Sequence, residues 1–184
     1  MSRVGRACRA GLLTGALTLA ALAISAPTRV DSPLPDPQLT PGVADRAVTL
    51  AQIDKPGFAA SRRRVGVGLR VSVFRAYGRA PNGRVYELDH LVALCLGGTN
   101  DARNLWPQRW HLIVGGRDVG ARTKDRLELY YLRRVRARRL SIRDAQDGMS
   151  RDWIASYRAH LGEPPKPAGS VAPPPPLRPA GARR

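Results

Sequence analysis

Asp89 and His90 are neighbouring residues with clear potential for chemistry. Carboxylate oxygens are ligands that Mg²⁺ and Mn²⁺ prefer, and the single local imidazole argues against a closed zinc site. A neutral imidazole, with an ordinary pKa of about 6.5, accepts a proton at neutral pH. Phosphodiester hydrolysis needs a cation on the phosphate and a base beside the attacking water. The pair therefore predicts a metal ligand at Asp89 and a general base at His90.

The elements that carry this pair are two short strands. The run from Tyr86 to His90 alternates apolar and polar residues, which is typical of a strand, and it is followed by a Gly-Gly turn at residues 97–98 and a second strand after Asn104. Side chains alternate across a strand, so Glu87 and Asp89 should share one face while His90 points to the other.

Helical periodicity flanks these strands. Gly78 is well placed to end a helix before the first strand, and Trp153 and Tyr157 belong to the apolar stripe of a helix after the second. We interpret both aromatic residues as core residues, with base stacking as the alternative. Gly148 is a position at which the last helix could break in two. We expect helices over residues 69–77, about 119–136 and 142–161, and a loop over residues 110–120.

The strand, the Gly-Gly turn and the segment Asn104-Leu105-Trp106-Pro107-Gln108 together resemble the core of HNH endonucleases, the ββα-metal class. They are most similar to small bacterial HNH-like proteins that read E-x-D-H-L-x-x-L-x-L-G-G followed by N-L-W-P-Q. The resemblance covers about residues 50–161 and is strongest over 86–108. It implies an α+β fold, with a ββα-metal core of a hairpin and a helix and additional flanking α-helices. It also implies a metal-dependent endonuclease, with DNA favoured over RNA as the substrate.

The resemblance also implies roles for individual residues. His90 and Asn104 would be catalytic, with Asn104 holding the loop and orienting His90 through a hydrogen bond, and Asp89 would bind Mg²⁺ or Mn²⁺. Relatives carry one cysteine before the first helix and one in the long helix, where this chain has Asp54 and Arg136. We therefore expect an oppositely charged pair in place of a disulfide.

One position departs from the family pattern. The helix ligand, usually Asn or His, should fall about four residues before Lys124, where this chain has Gly120. Asp118, His111 and Glu87 remain open as replacements, and Asp118 is favoured as a metal ligand because it is a carboxylate close to the helix start. Capping of the helix is an equally strong interpretation of Asp118. Replacing Gly120 with Asn would supply an oxygen ligand, and we expect a small cost to stability.

The charge predicts a polyanionic partner. The chain has 31 Lys and Arg against 14 Asp and Glu, a net charge of +17, which favours nucleic acid over an acidic membrane or envelope polymer. Arg122, Lys124 and Arg126 on the long helix are candidates for phosphate contact. A solvated Arg-rich surface is the alternative interpretation of the charge. The alternative to an enzyme is a non-catalytic basic module of the same fold that binds extracellular nucleic acid or an anionic envelope polymer. The oligomeric state stays open.

The ends of the chain differ in composition from its centre. Residues 1–26 have the basic start, apolar run and small final residues of a secretory signal peptide, which predicts a secreted or cell-envelope protein without stable membrane insertion after cleavage. An uncleaved anchor is the alternative. Residues 27–44 are Pro-rich and read as a linker, residues 45–162 as the HNH-like domain, and residues 163–184 as a disordered Pro/Arg-rich tail.

Cys95 is the one cysteine that follows the predicted signal peptide. It cannot form an internal disulfide in the mature chain. A nucleophilic role would require a partner, and its neighbours Leu94 and Leu96 supply none. We interpret it as a half-buried structural thiol.

The charge of the long helix generates a prediction about salt. DNA affinity of the mature protein should fall steeply between about 50 and 200 mM salt, because each phosphate contact releases counterions. Joint neutralisation of Arg133, Arg134, Arg138 and Arg139 should reduce the slope of log K against log salt. The measurement is fluorescence anisotropy of a labelled duplex across a salt series. Binding that does not respond to salt would show that the positive charge serves another purpose.

Overall fold

The computed structural model describes residues 31–167, and within this range the chain is α+β. The predicted signal peptide, the start of the predicted linker and most of the predicted tail lie outside the described residues. The α-helices are α1 (Leu50–Ile53), α2 (Phe58–Arg62), α3 (Val67–Ala76), α4 (Ala121–Arg136) and α5 (Ile142–Leu161). The strands are β1 (Tyr86–His90), β2 (Leu105–Arg109), β3 (Ile113–Val114) and β4 (Arg117–Asp118). The α+β class is confirmed, while the finer ββα-metal assignment stays a prediction.

Strands β1 and β2 form an antiparallel pair, as the sequence predicts. Glu87 lies opposite Gln108 and Asp89 lies opposite Trp106. Residues directly opposite each other project from the same face of a sheet. One face of the hairpin therefore carries two carboxylates, an indole and an amide.

The loop between β1 and β2 is held by the buried amide of Asn104. Its Oδ1 accepts hydrogen bonds from the backbone N–H groups of Val92 (2.9 Å) and Val43 (3.3 Å), and its Nδ2 donates to the carbonyls of Val92 (3.1 Å) and Thr99 (2.9 Å). A side chain at Gly98 would overlap the carbonyl oxygen of Val92. The Gly-Gly turn is therefore required by close approach of the backbone, and Asn104 holds the loop as the resemblance implied.

The predicted helices are present, with one difference in α5. Ser141 caps this helix by accepting a hydrogen bond from the Asp144 backbone (3.0 Å), and Trp153 and Tyr157 are buried core residues, as predicted. The helix breaks at Asp152 and not at Gly148. Asp152 has φ −160°, and its side chain accepts hydrogen bonds from the backbone N–H groups of Ile154 and Ala155. A capping side chain, and not the flexibility of glycine, sets the break.

The segment 110–120 is more ordered than the predicted loop. Strands β3 and β4 pair as a small antiparallel hairpin, and Gly115 and Gly116 occupy its turn with φ of +57° and +73°. Positive φ at both central residues is the requirement of a tight hairpin turn, which two consecutive glycines meet. The prediction of an irregular loop is therefore wrong over residues 113–118.

Residues 31–44 are not a free linker. The Thr40 side chain is buried and donates to the carbonyl of Leu105 (2.9 Å), and the Trp153 indole donates to the carbonyl of Pro33 (3.0 Å). Proline lacks an N–H but keeps its carbonyl, so a Pro-rich segment can dock through acceptors. This part of the chain belongs to the domain.

Arg136 and Asp54 form an ion pair near the surface. Arg136 Nε lies 3.1 Å from Asp54 Oδ1, which confirms the expected charge pair. Both side chains are about half exposed, so the pair contributes little stability.

Cys95 is half-buried, and burial raises the pKa of its thiol to about 12. It therefore stays protonated at neutral pH, consistent with a structural role.

The hydrogen bonds of Asn104 predict a large effect of its removal. Asn104→Ala should lower the free energy of unfolding by about 2–4 kcal/mol, because buried backbone groups lose their partners. The measurement is urea denaturation followed by circular dichroism. Asn82→Ala is the control, because Asn82 is exposed and its side chain accepts one local hydrogen bond. Equal costs for the two variants would contradict the assignment.

Candidate active-site cleft

A cleft of about 380 Å³ runs along β1, and we call it the β1 cleft. Residues Tyr86 to His90 all line it, so residues from both faces of the strand border the cleft. Two acids of α4 join Glu87 and Asp89 there. The charged and aromatic residues that line it are Arg63, Arg70, Tyr86, Glu87, Asp89, His90, Trp110, Asp125 and Glu128. The predicted catalytic base and the predicted metal ligand therefore lie in one cavity.

Lys124 lies beneath these acids and is 1% exposed. Its ammonium group is 2.8 Å from Asp89 Oδ2, donates to the backbone carbonyl of His90 (2.8 Å) and pairs with Glu128. Burial opposes the charge, but the two carboxylates outweigh burial and raise the pKa of Lys124. All three ammonium protons have an acceptor, so the prediction that Lys124 contacts phosphate is wrong.

The His90 side chain is oriented by Asn100. Asn100 Nδ2 donates to the carbonyls of Arg62 (2.8 Å) and Arg64 (3.2 Å), which can only accept. Asn100 Oδ1 must therefore face His90 Nε2, 2.8 Å away, and accept a hydrogen bond from the Nε2–H group. This fixes the neutral imidazole as the Nε2–H tautomer and leaves Nδ1 as the basic nitrogen.

The expected hydrogen bond from Asn104 to His90 is wrong, because the Asn104 amide is used by the backbone of the loop. Burial lowers the pKa of His90, although Asn100 and Asp89 partly offset this effect. The imidazole is therefore neutral at pH 7, which is the state that a general base requires.

The cleft carboxylates perturb one another. Burial, with repulsion from Asp89, Asp125 and Glu128, raises the pKa of Glu87 to about 7. Burial and the charge of Asp89 also raise the pKa of Asp125. Crowded carboxylates of this kind are typical of functional sites, although structural networks also produce them.

Asp118 does not join this cluster. Its oxygens accept hydrogen bonds from the backbone N–H groups of Leu112 (3.2 Å) and Gly120 (2.9 Å), and Oδ2 lies 2.6 Å from His111 Nδ1. Burial opposes its charge, but these hydrogen bonds outweigh burial and lower its pKa. Asp118 lines a separate depression with Arg122. Asp118 lies two residues before the N-cap residue of α4, and within residues 31–167 no side chain caps the first turn of that helix. The structure therefore supports neither the capping interpretation nor the predicted role of Asp118 as a partner of Asp89 in metal binding, and Asp118 instead holds the turn that leads into α4.

Gly120 is the N-cap residue of α4, in the extended region. A Cβ atom there would overlap the backbone of Trp110 and His111. The expectation that Asn would be accommodated at little cost is therefore wrong, because the obstacle is backbone that cannot move aside. Close packing accounts for the glycine at this position.

Gln108 is a buried amide on the same face of the hairpin as Glu87 and Asp89. It is 2% exposed, and neither its Oε1 nor its Nε2 has a hydrogen-bond partner within the described residues. An unpaired buried amide is costly unless water or a ligand satisfies it. Gln108 lies opposite Glu87 in the hairpin, but it is not among the residues that line the β1 cleft.

Metal binding by the β1 cleft is limited to few protein ligands. Within residues 31–167, no three His, Cys, Asp or Glu side chains are arranged to hold a metal ion. Mg²⁺ is commonly held by one or two carboxylates with several waters. The hard oxygens of Glu87 and Asp89 have the chemistry of such a weak site.

The remaining predicted phosphate contacts are on the outer surface of α4. Arg122 is 64% exposed at its side chain, and its guanidinium lies 4.7 Å from the ring centroid of Trp110. Arg126 is exposed beside the depression that contains Asp118. Both stay candidates for phosphate binding, and Arg63 and Arg70 at the cleft join them.

Several residues of the site escaped the sequence analysis, among them Asn100, Asp125 and Glu128. Glu128 follows Lys124 by one helical turn, and this i,i+4 spacing was a usable signal for the ion pair. Asn100 gave no comparable signal, because a polar residue in a loop has no periodicity.

Comparison of the chain with protein-family models, with curated proteins and with solved structures found no match. No helix within residues 31–167 combines the length and the apolar character needed to cross a bilayer. The chemistry of the β1 cleft is consequently the basis for a proposal of function.

The raised pKa of Glu87 predicts a dependence of stability on pH. The folded-state value of about 7 exceeds the ordinary 4.5, so the stabilisation from its protonated form is complete below about pH 4.5 and is lost as the pH rises through about 7. Glu87→Gln cannot ionise. Its stability relative to the parent should therefore rise over this interval, as measured by urea denaturation at several pH values.

The lowered pKa of His90 acts in the opposite direction, but it is shared by parent and variant and largely cancels in the difference. Glu163→Gln is the control, because Glu163 is exposed and distant from the cleft lining. A Glu87→Gln difference that stays constant with pH, as the control should, would contradict the assignment.

Proposed function

We propose that this protein is a metal-dependent endonuclease of the HNH type that hydrolyses phosphodiester bonds of nucleic acid, with DNA favoured over RNA. The observation that supports this most strongly is the His90 imidazole, whose Nε2 is held by Asn100 so that Nδ1 is its basic nitrogen, in the same cleft as the Glu87 and Asp89 carboxylates. A base and hard-oxygen ligands in one cavity are what phosphodiester hydrolysis requires.

His90 would remove a proton from the attacking water through Nδ1, while Asn100 holds the ring by Nε2. Lys124 fixes the His90 backbone through its carbonyl, so the base is anchored by both its side chain and its main chain. Glu87 and Asp89 would hold Mg²⁺ or Mn²⁺. The bound cation would supply charge stabilisation to the phosphate and to the leaving oxygen.

The electrostatics of the cleft support a requirement for a cation. Four carboxylates line it, whereas phosphodiesters are anionic and would be repelled by them. The basic residues Arg63, Arg70 and Arg122 lie around these acids and would hold the flanking phosphates. The net charge of +17 favours a polyanionic substrate. Together with the predicted signal peptide, this describes a nuclease acting outside the cytoplasm.

A second candidate is a non-catalytic basic module of the same fold that binds nucleic acid or an anionic envelope polymer. One observation favours it: the Lys124 ammonium already neutralises Asp89. In this case the internal ion pair would replace a metal, and the cleft would be structural. The exposed arginines would then be responsible for all binding of the polyanion.

Substitution of His90 tests the proposal. His90→Ala should reduce plasmid cleavage by about 10² to 10⁴-fold in Mg²⁺ or Mn²⁺, because general-base catalysis contributes about that factor. DNA binding in EDTA should be preserved. The measurement is the rate of supercoiled plasmid loss under each metal. His160→Ala is the control, because His160 packs on Tyr130 and Tyr131, outside the cleft lining.

Two results would contradict the proposal. Cleavage by His90→Ala at the rate of the parent would remove the mechanism. Absence of cleavage by the parent under every divalent metal, with DNA binding retained, would favour the non-catalytic module.

A further inference from the structure

Trp110 lines the β1 cleft directly after the end of β2. The chain has three tryptophans, and Trp106 and Trp153 are buried, with 2% and 0% exposure. Trp110 is only half-buried. Its ring is therefore not fully used by the core, and part of its surface is available to a ligand in the cleft.

The Trp110 ring is fixed in place by the protein. Its Nε1 donates to the carbonyl of Gly83 (2.9 Å), and its backbone N–H donates to the carbonyl of Val85 (3.1 Å). The polar atom of the indole is thus already satisfied, which leaves apolar ring surface as its means of contact. A fixed ring loses little conformational entropy when a ligand packs on it.

Arg122 adds positive charge and a second planar group. Its guanidinium carbon lies 4.7 Å from the Trp110 ring centroid, and its side chain is 64% exposed. The contact with Asp125 is long, at 3.8 Å, so the guanidinium keeps donors for other partners. An aromatic ring beside an arginine is the combination that binds single-stranded nucleic acid, because bases stack and phosphates pair with the cation.

The position of this pair relates it to the proposed base. Trp110 and His90 line the same cleft, so a nucleotide packed on Trp110 would share this cleft with a phosphate presented to His90. Within a duplex, base faces are covered by their stacked neighbours. A base can therefore reach the ring only where the strand is single or locally unpaired.

We propose that Trp110 and Arg122 form a stacking platform for one unpaired base, and that the preferred substrate is single-stranded or locally unpaired nucleic acid. This inference rests on the proposed function and extends it to the class of substrate. Stacking does not distinguish one base from another, so cleavage should show little sequence preference.

Binding in EDTA tests the platform without catalysis. The parent should bind oligothymidylate more tightly than an abasic oligonucleotide of the same length and charge. Trp110→Ala should weaken binding of the thymidylate by about 5- to 150-fold, while binding of the abasic strand is unchanged. Trp110→Phe should retain most of the affinity, because it keeps an aromatic face. Equal affinity of the parent for the two strands, or equal losses of Trp110→Ala on both, would overturn the inference.

Arg122→Gln should weaken binding of both strands and reduce the salt slope, whereas Trp110→Ala should leave the slope unchanged. A slope of log K against log salt that is reduced as much by Trp110→Ala as by Arg122→Gln would contradict the stacking role.

Intrinsic fluorescence gives a readout that does not depend on a folded alanine variant. Oligothymidylate should quench tryptophan emission of the parent but not of Trp110→Phe, and equal quenching of the two proteins would overturn the inference.

These readouts are separate from the proposed function. A parent that cleaves under Mg²⁺ but binds both strands equally would overturn the platform and leave the nuclease. A parent that binds thymidylate through Trp110 but cleaves under no metal would support the platform and overturn the nuclease.

Discussion

The site depends on the Lys124 ammonium, buried between α4 and the end of β1. An unpaired ammonium in this position would be very costly, and so would Asp89 and Glu128 without it. Because the ammonium reaches Asp89 Oδ2 and the His90 carbonyl at 2.8 Å each, it fixes the helix against the strand at the residues proposed for chemistry. Loss of this one group would leave two carboxylates without a cation, and Asp89 with the Trp106 indole as its remaining donor (3.1 Å), so the role of Lys124 is architectural.

A second anchor acts on the His90 side chain independently of the first. Asn100 joins the imidazole to the carbonyls that follow α2, and the buried Asn104 amide holds the loop on which Asn100 lies. Asn104 thus holds the loop and Asn100 orients the imidazole, two roles that the family resemblance assigned to Asn104 alone. The result is an imidazole with a fixed tautomer beside carboxylates, and burial together with mutual repulsion raises the pKa of Glu87 and Asp125. The Lys124 ammonium beneath them offsets part of this effect.

Periodicity predicted the hairpin and the long helices because burial of one face fixes the spacing of apolar residues. It could not predict that Lys124 is buried, since a lysine on a basic helix has the same spacing whether it faces a phosphate or a carboxylate. Residues 31–44 were misassigned as a linker because proline content indicates only a lack of backbone N–H donors, whereas this segment docks through the Thr40 hydroxyl and the Pro33 carbonyl. Asp118 and Gly120 were assigned by distance from Lys124, whereas the β3–β4 hairpin, which places Asp118 at the start of α4, had not been predicted.

We infer that the fold holds His90 as a neutral imidazole in which Nδ1 is the basic nitrogen. Nitrogen-15 NMR of the imidazole groups, recorded across pH on protein labelled at histidine, tests this most directly, with His90→Ala used to assign the signal. We expect the Nε2–H tautomer at neutral pH and a pKa below the ordinary imidazole value, because burial disfavours the charged ring. An Nδ1–H tautomer, or a pKa above the ordinary value, would contradict the account.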